Sequence, residues 1–180
     1  MQGYDPSYFN EETKVGQGAD GIVYALEDGR VVKFFRQSRY AKKEKCINKF
    51  LSETNIYVPK IDELIEMRFP KDHILYNKGN RQWGIIMERI DGKSLLDLNN
   101  EEENLAKTTY LTRLEEILGM SLYPQDTGRG HNTLYLGGGD EVAFFDFTKW
   151  KTARISKEMK NKILEEGYCH YRANQEGLRY

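Results

Sequence analysis

Apolar positions along this chain fall into short runs whose period changes several times. Ile22, Val23 and Tyr24 form a β-branched and aromatic run, and Val31-Val32 a second one after Glu27-Asp28-Gly29-Arg30. Such runs flanking an Asp-Gly step predict two antiparallel strands joined by a tight turn. From Ser38 to Leu51 the period lengthens. Ile47, Phe50 and Leu51 share a face, with Tyr40 and Ala41 on nearby turns, which predicts an amphipathic helix. Tyr57–Ile61 begins a strand, and Pro59 places it at an edge or a strand start. His73–Tyr76 and Trp83–Met87 read as two further strands around an Asn-Lys-Gly-Asn turn. Asn99–Glu103 is a polar loop or helix start. Leu111, Leu114, Ile117, Leu118 and Leu122 then recur at helical spacing over Tyr110–Tyr123, a core-facing stripe. A strand at Thr133–Leu136, a tight turn at Gly137-Gly138-Gly139-Asp140 and a strand from Val142 lead to Asp146. One or two closing helices are predicted over Lys149–Lys162 and Ile163–Ala173, and residues 1–13 read as a polar lead-in or short first strand. The predicted class is α+β: five antiparallel strands with one helix, then a mostly helical remainder.

Composition narrows the functional classes. Across 180 residues, 27 basic side chains meet 28 acidic ones, so no broad field argues for nucleic acid or an anionic membrane as partner. Cys46 and Cys169 have neither metal-ligand spacing nor the density of a secreted disulfide scaffold, which favours a reducing compartment. No apolar run has the length of a membrane span, and the polar start does not resemble a signal peptide. A soluble, cytoplasmic protein is the expectation.

The chemistry concentrates around the first hairpin. Gly16, Gly18 and Gly21 are spaced G-x-G-x-x-G, which lets backbone approach an anion and permits positive φ. A dinucleotide-binding fingerprint has the same spacing but opens a helix, whereas strand-forming residues follow here. Lys33 closes the second strand. Glu44 lies at the edge of the apolar helix face, within reach of a lysine on a neighbouring sheet, with Glu53 the next candidate. An ordinary Gly-rich hairpin beside a solvated, lysine-rich helix would show many of the same residues.

Taken in order, these features resemble the protein kinase superfamily: a Gly-rich hairpin, the strand lysine, the helix glutamate, Met87-Glu88 leaving a strand, Asp126 and Asn132 in a loop, and Phe145-Asp146-Phe147. The resemblance covers about Val15 to Trp150. It implies one minimal two-lobed domain over residues 1–180, with an antiparallel-sheet N-lobe at about 10–88, a hinge at about 88–93 and a reduced, mostly helical C-lobe at about 94–180. It implies that ATP is held by Gly16, Gly18, Gly21 and Val23, with Lys33 on its phosphates and Glu44 paired to Lys33. Met87 would line the adenine pocket, and the backbone of Glu88 and Ile90 would bond the adenine edge. Asp126 would orient the acceptor hydroxyl, Arg129 would supply positive charge, and Asn132 with Asp146 would hold Mg2+.

Three departures from the family pattern stand out. Asp126 and Asn132 are six positions apart where the family has five, which requires a bulge at Gly128 or Gly130. Pro124 and Gln125 replace the His and Arg of H-R-D, removing the arginine that reads a phosphorylated activation loop. Thr148 replaces the glycine of D-F-G and hinders a flip of the aspartate. Only 34 residues follow Asp146, too few for a full activation segment and later helices. The chain is thus similar to the truncated effector kinases that enteric pathogens inject into host cells, which are activated by ubiquitin-loaded conjugating enzymes. The implied activity is an ATP- and Mg-dependent serine/threonine-protein kinase, with a protein substrate, a protein activator and a location in the host cell. Two alternatives stay open. One is a pseudokinase or nucleotide-binding interaction module, the other a small-molecule kinase of aminoglycoside type.

Overall fold

The computed structural model describes residues 4–78, 80–95, 98, 100–124, 132–137, 142–152, 156–158, 161 and 164. The chain divides into two units, Met1–Phe50 with Pro59–Arg89, and Leu51–Val58 with Ile90–Tyr180. The class is α+β.

The first unit is built on a five-stranded sheet. Its strands are β1 (Lys14–Gln17), β2 (Gly21–Ala25), β3 (Val31–Phe35), β4 (Ile61–Met67) and β5 (Gln82–Met87), in spatial order β1-β2-β3-β5-β4, and every neighbouring pair is antiparallel. The β2–β3 connection turns at Gly29, whose φ of 84° only glycine adopts readily. Arg30 leaves that turn and donates to Asp28 at 2.6 Å and to Asp62 at 3.1 Å, tying the hairpin to β4. Those hydrogen bonds hold the Asp28 carboxyl below its ordinary range.

One predicted strand is corrected. The fourth strand is Ile61–Met67, whereas His73–Tyr76 forms turns. There the Leu75 N–H donates to His73 Nδ1, the Tyr76 N–H to the His73 carbonyl, and the His73 ring stacks on Phe69 at 4.4 Å. A local side chain that bonds the backbone offers it an alternative to a ladder.

Because successive strand residues point to opposite faces, β3 splits its side chains. Val32 and Phe34 join Ile22, Tyr24 and Ile86 on one face, packed with Phe9, Leu26, Phe69 and Leu75. Val31 and Phe35 join Ile85, Met87 and Ala41 on the other, the last from helix α1 (Ser38–Ser52). Residues 5–13 are more than a lead-in. Asp5 caps a 3-10 turn at Pro6–Tyr8, the Tyr8 hydroxyl donates to the Ala25 carbonyl, the Thr13 hydroxyl to the Tyr8 carbonyl, and Phe9 is fully buried.

The second unit carries β6 (Lys93–Ser94), α2 (Asn100–Gly119), β7 (Leu122–Pro124), β8 (Thr133–Tyr135), β9 (Val142–Phe144) and β10 (Trp150–Thr152). Strands β6, β8 and β9 form one antiparallel sheet in that order, and β7 pairs with β10 in another. Helix α2 buries Ala106, Tyr110, Leu114, Ile117 and Leu118, and Tyr110 stacks on Phe144 with centroids 5.8 Å apart. The remainder carries short strands beside α2, and helical residues recur at 157, 158, 161 and 164, within the stretch predicted to close the chain as helix. Trp150–Thr152, predicted to open a closing helix, is a strand because Trp150 is buried edge-on against Phe147 at 4.8 Å while its backbone pairs with β7. The helix predicted over Tyr110–Tyr123 starts ten residues earlier and ends at Gly119, so Leu122 lies on β7. Segment 51–58 belongs to this unit: the Phe144 N–H donates to the Tyr57 carbonyl at 3.0 Å. Among the described residues, no helix is long and apolar enough to cross a membrane.

Candidate functional site

In the first unit the predicted residues gather on one face of the sheet. Cross-strand pairing places Val23 opposite Lys33 and Lys33 opposite Ile85, while Val31 faces Met87. Lys33 is 6% exposed and Glu44 2%. They meet with Nζ and Oε1 3.7 Å apart, and Lys33 also lies over the Phe35 ring at 4.9 Å. A helix turn explains why Glu44 is available. Glu44, Ile47, Asn48 and Leu51 are at i, i+3, i+4 and i+7, one face of α1, and all are buried. Asn48 was not singled out in the sequence. Its Nδ2 donates to the Pro59 carbonyl at 2.8 Å, fixing α1 to the segment that enters β4. The signal was present, as a small amide four residues after Glu44 on the apolar face. Glu53, the other candidate, lies beyond the last turn of α1 and is exposed.

The glycines divide by role. Gly16 and Gly18 have open space where a Cβ would stand, and the Gly18 N–H donates to the Gly21 carbonyl at 2.9 Å to close the turn. At Gly21 a Cβ would lie 2.4 Å from the Phe34 carbonyl oxygen, so this glycine permits β2 to approach β3. None of the three has positive φ, which corrects the expectation that the loop uses them for that freedom. Val15 falls at an irregularity in the β1–β2 register and is half exposed.

Met87 is buried on the Lys33 face. Glu88 is clamped to Lys60: the Glu88 N–H donates to the Lys60 carbonyl at 2.9 Å, and the Lys60 N–H donates to Glu88 Oε2 at 3.1 Å. The Glu88 N–H is therefore taken by Lys60. Ile90 lies past the unit boundary at Arg89.

In the second unit, β8 and β9 pair Thr133 with Phe144, and the Phe145 N–H donates to the Asn132 carbonyl at 3.1 Å. Asn132 and Asp146 thus share one end of a hairpin. Asp146 has φ 60° and ψ 67°, a left-handed conformation uncommon for a residue with a side chain. Its Oδ1 accepts from the hydroxyl of Thr148, which is 3% exposed, at 2.9 Å. The residue that departs from D-F-G thereby orients the aspartate. Among the described residues, no three His, Cys, Asp or Glu side chains cluster as metal ligands. Mg2+ keeps several waters and takes one or two protein carboxylates with phosphate oxygens, so an Asp and an Asn suit it. Asp126 and Arg129, with the proposed bulge glycines, lie outside the described residues.

The first unit thus presents a buried cation on the sheet that carries an open glycine turn, and the second presents two hard oxygen-bearing side chains at one hairpin end. The chain matches no protein-family model and no curated protein.

Proposed function

We propose that the chain is an ATP- and magnesium-dependent phosphotransferase of protein-kinase type, acting on Ser or Thr hydroxyls of a protein substrate. The observation that supports this most is the Lys33–Glu44 pair. Burying two charges costs desolvation that their attraction barely offsets, and apolar residues of similar volume would serve stability as well or better. A lysine held by a carboxylate on an apolar sheet face is instead suited to a ligand's phosphates, and Gly16 and Gly18 leave room for backbone to approach them. Val23 and Met87 would border the adenine, and the Glu88 carbonyl with the backbone of Ile90 would bond its edge. Asn132 and Asp146 would hold Mg2+, which neutralises charge on the phosphates. Asp126 would orient the acceptor hydroxyl, with Arg129 beside the transferring group. A protein activator, a ubiquitin-loaded conjugating enzyme on the family resemblance, and a place in a host cell belong to the same proposal.

The test is incubation with labelled ATP, magnesium and a mixed protein substrate, with and without ubiquitin-loaded conjugating enzyme. Transfer is expected from the parent, falling at least about a hundredfold in Asp146→Asn and Lys33→Met. Absence of nucleotide binding by the parent, measured calorimetrically with magnesium present, overturns the proposal. Binding without transfer under any condition would instead favour a nucleotide-binding interaction module.

A further inference from the structure

The first unit also contains an open cavity of about 490 Å3 lined by Arg36, Gln37, Ser38, Arg39, Arg81 and Gln82, together with Asn77, Asn80 and Trp83. Three arginines line it and no acidic residue does. Arg81 is paired with Glu66 at 2.8 Å, outside the lining. Arg39 lies over the Tyr40 ring at 5.2 Å, and neither Arg36 nor Arg39 has a carboxylate partner among the described residues. The cavity includes the start of α1, a 15-residue helix with no acidic residue in its first turn to offset the positive end of its dipole. Gln82 adds a neutral group to the same lining. It is only 7% exposed, it lines the cavity, and its side-chain amide has no hydrogen-bond partner among the described residues.

The geometry points to a second anion site, in which Arg36, Arg39 and Arg81, the start of α1 and the Gln82 amide take up a phosphoryl group. Guanidinium forks match phosphate oxygens two at a time, backbone N–H groups at a helix start point toward an anion, and the amide of Gln82 is a neutral donor in the same lining. The site does not depend on the proposed activity, since Lys33 and the glycine turn take no part in it. It bears on that activity, because α1 also carries Glu44.

Thermal-shift and calorimetric titrations of the full chain with inorganic phosphate, against chloride at equal ionic strength, read the site directly. A saturable rise in melting temperature is expected, with affinity about tenfold or more weaker in the Arg36→Gln/Arg39→Gln variant and unchanged in Lys33→Met. Titration with a phosphoserine peptide and its unphosphorylated form distinguishes the source. Tighter binding of the phosphopeptide assigns the site to a phosphorylated chain, and equal or weaker binding assigns it to the free anion. No saturable phosphate effect, full retention in the double arginine variant, or loss in Lys33→Met overturns the assignment.

Discussion

The two faces of the five-stranded sheet are built on opposite terms. One is aromatic throughout its centre. Phe9 and Phe34 meet edge-on at 4.9 Å, Phe34 and Phe69 at 5.1 Å, and Phe9 and Tyr24 at 5.5 Å. Room for the Phe34 ring comes from Gly84 directly across the ladder, where a Cβ would lie 2.9 Å from ring carbons. The other face is apolar at Val31, Phe35, Ile85 and Met87 but carries a lysine among them, answered by a glutamate from α1. The same alternation along β3 makes both. Edge-to-face rings gain from burial and from their quadrupoles, whereas a buried ion pair roughly breaks even. Stability therefore resides on the first face, and the second gives up some of it to keep a charge in place.

The largest expected effect breaks the first face. Phe9→Ala should cost about 3–5 kcal/mol in urea unfolding, since it empties the centre of a ring cluster and frees the segment that covers it. At a temperature where the variant remains folded, nucleotide affinity should be close to parental. A loss below about 1 kcal/mol would show that the N-terminal segment is not part of the core, and the contrast between faces would fail.

Breaking the second face should look different. Glu44→Leu strands a buried lysine and should cost about 3–5 kcal/mol. Lys33→Met combined with Glu44→Leu should recover most of that loss while abolishing ATP binding. The double-mutant cycle measures the coupling. If the two losses simply add, the pair does not interact as the 3.7 Å separation indicates.

These contrasts were unequally legible in the sequence. The Asp28-Gly29 turn, the strands around it and the helix carrying Glu44 could be read because their signals are local: a turn dipeptide, period two and period 3.6. The covering segment could not. Nothing near Asp5–Phe9 announces that Phe9 will meet Tyr24, Phe34 and Phe69, contacts set by distant parts of the chain. An edge strand beginning at Tyr57–Ile61 was legible, but its run to Met67 was not, because Asp62, Glu63 and Glu66 interrupt its apolar residues and its pairing slips between Ile61 and Glu63, as suits a charged edge strand. In the second unit β8 and β9 were legible from a strand, a glycine turn and a second strand before Asp146, whereas β6, β7 and β10, of two or three residues, are shorter than any window in which periodicity can be measured. The link between Asp146 and Thr148 was half visible. Thr148 read as an obstacle to a flip, but its hydroxyl bond to the carboxylate needed coordinates.

The smallest expected effects lie in the glycine turn, and they sharpen the comparison because stability and binding should move apart. Gly21→Ala places a methyl against the Phe34 carbonyl oxygen at 2.4 Å, backbone that cannot swing aside, so it should cost about 1–3 kcal/mol. Gly16→Ala and Gly18→Ala meet open space at ordinary φ. Each should leave stability unchanged or raise it by about 0.4–1 kcal/mol, through lower entropy of the unfolded chain. If the open space at Gly16 and Gly18 is where phosphate oxygens approach, the same alanines should weaken ATP binding even as the fold becomes firmer. Paired urea and ATP titrations on the three variants decide it. Unchanged ATP affinity in both Gly16→Ala and Gly18→Ala would mean that the turn serves the hairpin alone, leaving Lys33 without a phosphate-binding partner on its own sheet.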